Sequence, residues 1–194
     1  MLLNEAMLNQ VRIEKSVVAE SVEFKDNIGY DLFISHSFTD QNLVRKLRAF
    51  FKDRGFNVYV DWIDDAQLDR TNVTSDTAEL IKHRISQCKA LAYITTRNIA
   101  SSKWCPWELG VADGLLGKVC ILPFLEGNKE QYAFRGREYL GLYPYLSFNG
   151  QNNYPVICDP LKDSPKQFWD LSSTLSGMLY SIDLRNWLNS GDVA

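Results

Sequence analysis

The sequence predicts a doubly wound α/β domain, a mostly parallel sheet with helices on both faces. Three observations carry that expectation. Short, nearly continuous apolar runs recur at residues 30–35 (YDLFIS), 56–61 (FNVYVD), 90–95 (ALAYIT) and 119–124 (VCILPF), the pattern of strands buried on both sides. Between them lie segments whose apolar residues repeat at helical spacing. The two kinds alternate, as parallel strands joined by crossover helices require.

Taken in order, the first strand at 30–35 is followed by Asp40, placed to cap a helix whose apolar face is Leu43, Leu47, Phe50 and Phe51. Gly55 stops that helix, because glycine alone enters the left-handed C-terminal turn without strain. The second strand, 56–61, is rich in β-branched and aromatic residues. A polar connection over 62–73 leads to Thr74 or Ser75 as the cap of a helix with Ala78, Ile81, Ile85 and Cys88 on one face. The third strand, 90–95, feeds a helix opened by SSKWCPWELG at 101–110, where Pro106 fits only in the first turn. The fourth strand is 119–124. Beyond it a strand is expected within 142–148 and a helix within 166–175, in text broken by Pro144, Pro155, Pro160 and Pro165. The architecture is flavodoxin-like. It is expected over 29–180, preceded by an N-terminal extension at 1–28 that forms an amphipathic helix on Met7, Val11, Val17 and Val18 or stays mobile, and followed by a tail at 181–194.

Bulk properties narrow the function. A chain of 194 residues with 45% hydrophobic and 12% aromatic content builds one sizeable core. A net charge of −3, with no basic stripe, argues against nucleic-acid binding. The longest nearly apolar run, VCILPFL at 119–125, falls far short of the roughly 20 residues that span a bilayer. The N-terminus carries neither the pattern of a secretory signal nor the Met-Gly start of a myristoylated chain. Cys88, Cys105, Cys120 and Cys158 form no CxxC pair, and only His36 and His83 exist to join them, so buried thiols of a cytoplasmic protein are expected and no metal site.

In an open parallel sheet, ligands bind beyond the carboxyl ends of the strands. That rule selects Ser35, His36, Ser37 and Phe38 after the first strand, Asp61 and Trp62 after the second, and 95–108 after the third. On a helix, Trp104, Glu108, Val111 and Leu115 share a stripe, so Glu108 is expected to point into a cleft. Nothing matches a phosphate-binding glycine loop or a nucleophile elbow. A carboxylate beside an aromatic ring instead suits glycosidic cleavage, whose transition state is an oxocarbenium-like cation. The bland alternatives are a surface glutamate on an early helical turn, a His36 that only bonds a turn, and Trp62 and Trp107 that only pack.

YDLFISHSFTD at 30–40, FNVYVDWID at 56–64 and SSKWCPWEL at 101–109 together resemble the three signature segments of the Toll/interleukin-1 receptor (TIR) domain family, bacterial members above all. The resemblance is close over 29–125 and loose elsewhere. It implies hydrolysis or cyclisation of NAD+ at the nicotinamide–ribose bond, with Glu108 of the WxxxE pattern as catalytic carboxylate and Trp104 stacking on the substrate. It also implies that Ser35, His36, Phe38, Asp61 and Trp62 line the substrate site. NAD+ is then a consumed substrate, and no cofactor is needed. Bacterial members often act in anti-phage defence, so self-association through TIR–TIR contacts and a separate effector protein sensing the product are expected partners. The segment DDAQLDRTNVTSD at 64–76 lacks the glycine or Pro-Gly stretch common in the family's BB loop. Two other functions compete: a non-enzymatic scaffold that recruits partners through its loops, and a nucleoside deoxyribosyltransferase-like enzyme.

Overall fold

The computed structural model describes residues 1–11, 29–65, 74–136, 138–149, 152–159 and 181–191. Among them run β1 (Leu3–Asn4), α1 (Glu5–Asn9), β2 (Tyr30–Ser35), α2 (Gln41–Lys52), β3 (Val58–Tyr59), α3 (Asp61–Asp64), α4 (Ser75–Ser86), β4 (Cys88–Thr95), α5 (Trp104–Leu116), β5 (Val119–Leu125), β6 (Tyr145–Phe148), β7 (Pro155–Cys158), β8 (Ser181–Asp183) and α6 (Leu184–Asn189).

The strands form one sheet in the order β3-β2-β4-β5-β6-β7-β8, with β1 paired to β5. From β3 to β6 every pairing is parallel, and β7 and β8 add an antiparallel edge. The chain leaves β2 for β3 on one side and returns to β4 on the other, so the direction of winding reverses between β2 and β4. The expected doubly wound, mostly parallel architecture is what the chain adopts.

Strand periodicity divides the core. Leu32 and Ile34 of β2, Ala90, Ala92 and Ile94 of β4, and Cys120 and Leu122 of β5 pack with α1, α2 and α6. Phe33, Leu91, Tyr93, Val119 and Ile121 face the other way, onto α4 and α5. Each fully buried Leu, Ile or Phe contributes about 1.5–3 kcal/mol. Helix α2 presents Val44, Leu47, Phe50 and Phe51 to the first core and ends at Gly55. There φ is +77°, and the amides of Gly55 and Phe56 close onto the carbonyls of Lys52 and Phe51. Thr74 caps α4, its hydroxyl accepting from the Thr77 amide.

Several expectations change. The second strand contracts from 56–61 to Val58–Tyr59, because Asp61 already begins the short helix α3. The later strand is Tyr145–Phe148, and the helix expected at 166–175 lies outside the described residues. Of the extension expected over 1–28, residues 1–9 supply β1 and the short helix α1, on which Met7 lies as expected, and Leu3, Met7 and Leu8 are buried in the core. The Met1 carbonyl accepts from the Phe148 amide, and Leu3 and Asn4 pair with Phe124 and Leu125. The N-terminal segment therefore fills the gap where β5 and β6, in register only at Ile121 and Tyr145, diverge. Val17 and Val18 lie outside the described residues. Likewise 181–189, expected as a tail, provide β8 and α6, with Leu184 and Leu188 buried. All four cysteines are free and buried.

Candidate active site

The parity that sends Phe33 toward α5 also sends Ser35 there, two residues on and at the carboxyl end of β2. Helix α5 meets it with Glu108. Ser35 donates its hydroxyl to Glu108 Oε2 at 2.7 Å, and both side chains are fully buried. The pair lies beside the switch point between β2 and β4, where the rule for open α/β sheets puts a ligand crevice.

The rotation of α5 differs from the expected stripe. Its buried face is Cys105, Glu108, Leu109 and Ala112, whereas Val111 is half-buried and Leu115 is 56% exposed. Small side chains at 105 and 112 let the helix approach the sheet closely, which two bulkier residues would prevent. Trp104 sits half-buried at the flank, its ring edge-on to Trp107 at 5.4 Å. Glu108 thus lies on the buried face of α5, its side chain fully enclosed. Pro106 occupies the first turn of α5, as its missing N–H demands, and Gly117 (φ +60°) ends the helix.

Three other predicted residues form a second cluster. His36 bonds the Ile34 carbonyl through Nδ1 at 2.9 Å and accepts the Trp62 indole N–H on Nε2 at 2.9 Å. With Trp62 as donor, Nε2 is the bare nitrogen and the ring proton sits on Nδ1. Asp61 Oδ1 lies 3.7 Å from the same Nε2. Trp62 packs against the core, and the Arg45 guanidinium covers its ring at 4.8 Å. Phe38 joins neither cluster and is 64% exposed, on a turn before α2.

Residues outside the sequence-based set complete the surroundings. Asp40 makes no side-chain cap on α2, forgoing a bond worth about 1 kcal/mol. Instead its carboxylate accepts from the Thr96 hydroxyl at 2.6 Å and the Asn98 amide at 2.5 Å, both on the loop after β4. At the end of α3, Asp64 accepts from Arg48 at 2.6 Å and from the Val60 amide at 2.7 Å. Asp65 takes both arms of Arg84 at 2.8 and 2.9 Å and the Tyr59 hydroxyl at 2.6 Å. Burial pushes the Asp64 carboxyl up, against the opposing pull of Arg48. Burial, then the Asp65 hydrogen bond, holds the Tyr59 phenol far above its usual range.

No helix among the described residues is long and apolar enough to cross a membrane. The chain is 45% identical over 118 residues to a Bacillus cereus (strain MSX-D12) protein named a probable 3′ cyclic ADP-D-ribose synthase, ThsB′; the match covers 61% of each chain. It is 31% identical over 107 residues to a Cytobacillus dafuensis protein named a candidate cyclic ADP-D-ribose synthase, TIR2, covering 55% of this chain and 28% of that one. The match thus spans less than two-thirds of either relative. Among solved structures, the TIR domain of the Toll-related receptor TRR-2 from Hydra magnipapillata superposes with a TM-score of 0.39 at 20% identity, over 53% of this chain and 74% of that one. The family model described as "TIR domain" matches residues 32–154, from the first core strand through the approach to β7. The chain belongs to the TIR domain family.

Proposed function

We propose that this chain cleaves NAD+ at the nicotinamide–ribose bond and releases an ADP-ribose-derived signal, cyclised as in the names of its two relatives. The observation that carries the reading is the buried Ser35–Glu108 pair at the switch point of the sheet. In the reaction the C1′–N bond breaks and its electron pair leaves with nicotinamide. The ribosyl cation left behind faces the Glu108 carboxylate, which the Ser35 hydroxyl holds in place. Water is excluded from Glu108, and such a site strengthens the attraction between a carboxylate and a developing cation. Capture of the cation by water gives ADP-ribose; capture by a nucleophile within the same molecule gives a cyclic product, a proton being lost in either case. Trp104, half-buried at the flank of α5, supplies a ring for the departing base. In this reading Phe38, His36, Asp61 and Trp62 contribute to substrate binding, Phe38 through its exposed ring.

The same reading makes the protein a cytoplasmic producer of a diffusible signal in anti-phage defence, self-associating through TIR–TIR contacts and acting on a separate effector. Nicotinamide release and the nucleotide product, followed by mass spectrometry at high protein concentration and in infected cells, test it. Glu108→Gln is expected to lower nicotinamide release at least about 100-fold while leaving the melting temperature close to that of the parent. Undiminished turnover in that variant would overturn the assignment of Glu108.

A further inference from the structure

Beyond the ladder between β2 and β4, the two chains separate. Ser35 is still in register with Tyr93, but the first chain then turns toward α2 on one face and the second toward α5 on the other. Each lip is tied within itself. On the first, the Asp40 amide bonds the Ser37 carbonyl, and the Ser37 and Thr39 hydroxyls meet at 3.0 Å. On the second, the Ser101 hydroxyl bonds the Asn98 carbonyl at 2.8 Å, and the Ser102 amide bonds the Ile99 carbonyl. The Asp40 carboxylate joins one lip to the other, one oxygen to Thr96 and one to Asn98, at 9% exposure.

We infer that Asp40 is a positioning residue: its two-oxygen link to Thr96 and Asn98 sets the separation of the crevice lips above the Ser35–Glu108 pair, and with it the fit of the substrate. The inference rests on the NAD+-cleaving reading for its substrate and on the hydrogen bonds alone for the link. Both donors are neutral, so the link acts through direction and distance rather than through an opposing charge. It leaves α2 without a side-chain cap, a local loss that a purely helical role for Asp40 would not incur. Because the link spans the lips and leaves the reacting carboxylate in place, its loss weakens substrate binding more than the chemical step.

The test measures kcat and KM for nicotinamide release separately in D40A, N98A and the reciprocal exchange D40N/N98D, with amide hydrogen exchange over 36–40 and 96–102. D40A and N98A are each expected to raise KM about tenfold while changing kcat by less than about threefold. Exchange should quicken on both lips. The reciprocal pair reverses donor and acceptor across the same gap and is expected to return KM to within about threefold of the parent. Unchanged KM and unchanged exchange in D40A overturn the inference, as does a reciprocal pair whose KM is no better than that of D40A or N98A. If the parent leaves NAD+ intact, the NAD+-cleaving reading falls. Exchange at the lips then decides the link alone: quickened in D40A it stands, unaltered it fails. N98A removes the bond from the opposite lip and keeps the test valid should D40A not fold.

Discussion

A carboxyl group shut away from water needs a donor in reach, and for Glu108 that donor includes the Ser35 hydroxyl at 2.7 Å. Ser35→Ala removes a hydrogen bond to a carboxylate, worth about 1.5–3 kcal/mol. Nicotinamide release is therefore expected to fall about 10- to 100-fold through kcat, with KM little changed, in steady-state assays of NAD+ turnover. Both partners were legible in the sequence, because the ends of parallel strands are where ligands collect. Their meeting was only partly so. Strand parity places Ser35 on the α5 side, but the roll of α5 was set wrongly by large apolar residues. Trp104 and Leu115 are more hydrophobic than Cys105 and Ala112, yet the close approach of helix to sheet favours the smaller pair. Asp40 holds the N-cap position of α2 as expected, but without the side-chain bond to that helix. An aspartate just before an amphipathic helix has the same local pattern whether it caps that helix or reaches across to Thr96 and Asn98.

At the scale of elements, α3 and its flanks tie the end of β3 to two helices. Consecutive aspartates pull in opposite directions, Asp64 to Arg48 of α2 and Asp65 to Arg84 of α4, so the two helices on opposite faces share one anchor. Removing one partner of a buried ion pair costs about 3–5 kcal/mol. Arg84→Ala is expected to lower the melting temperature by about 10 °C in a thermal scan, leaving the Asp65 carboxyl and Tyr59 hydroxyl to share a poorer site. A substitution within about 2 °C of the parent would mean that the pair is not an anchor. The long elements were readable because their periodicity is sustained: β2 falls where the sequence predicts it, and α5 where its proline requires. The missed ones are short. Two residues of β1 and three of β8 carry no periodic signal, and β7 begins at Pro155, a residue that a strand admits as its first.

The molecule as a whole buries acids that ionise only in strong alkali. Burial raises the Tyr30 phenol from 10.0 to about 12 and carries Tyr59, Tyr93, Cys88 and Cys120 higher still relative to their usual values. Unfolded, the thiols lose protons near pH 9.0 and the phenols near 10.0, while the folded chain keeps them. The unfolded state then binds fewer protons, so stability is full below that range and falls as pH rises through it. Melting temperatures in reductant are expected to be level to about pH 8.5 and to decline beyond, steadily to pH 10.5 at least; a flat profile would contradict this. The doubly wound order was legible because alternating strand and helix admit few topologies. The seating of β1 on β5 was not, since it joins segments far apart in sequence. The Met1 amine reaches Ser147 Oγ across 146 positions, and Leu3 pairs with Phe124. The β1 segment therefore stays unpaired until β5 and β6, far along the chain, are in place. Folding of this part of the sheet is governed by its most distant contacts, and a chain that stops before β5 leaves the buried face of β1 without its pairing strand.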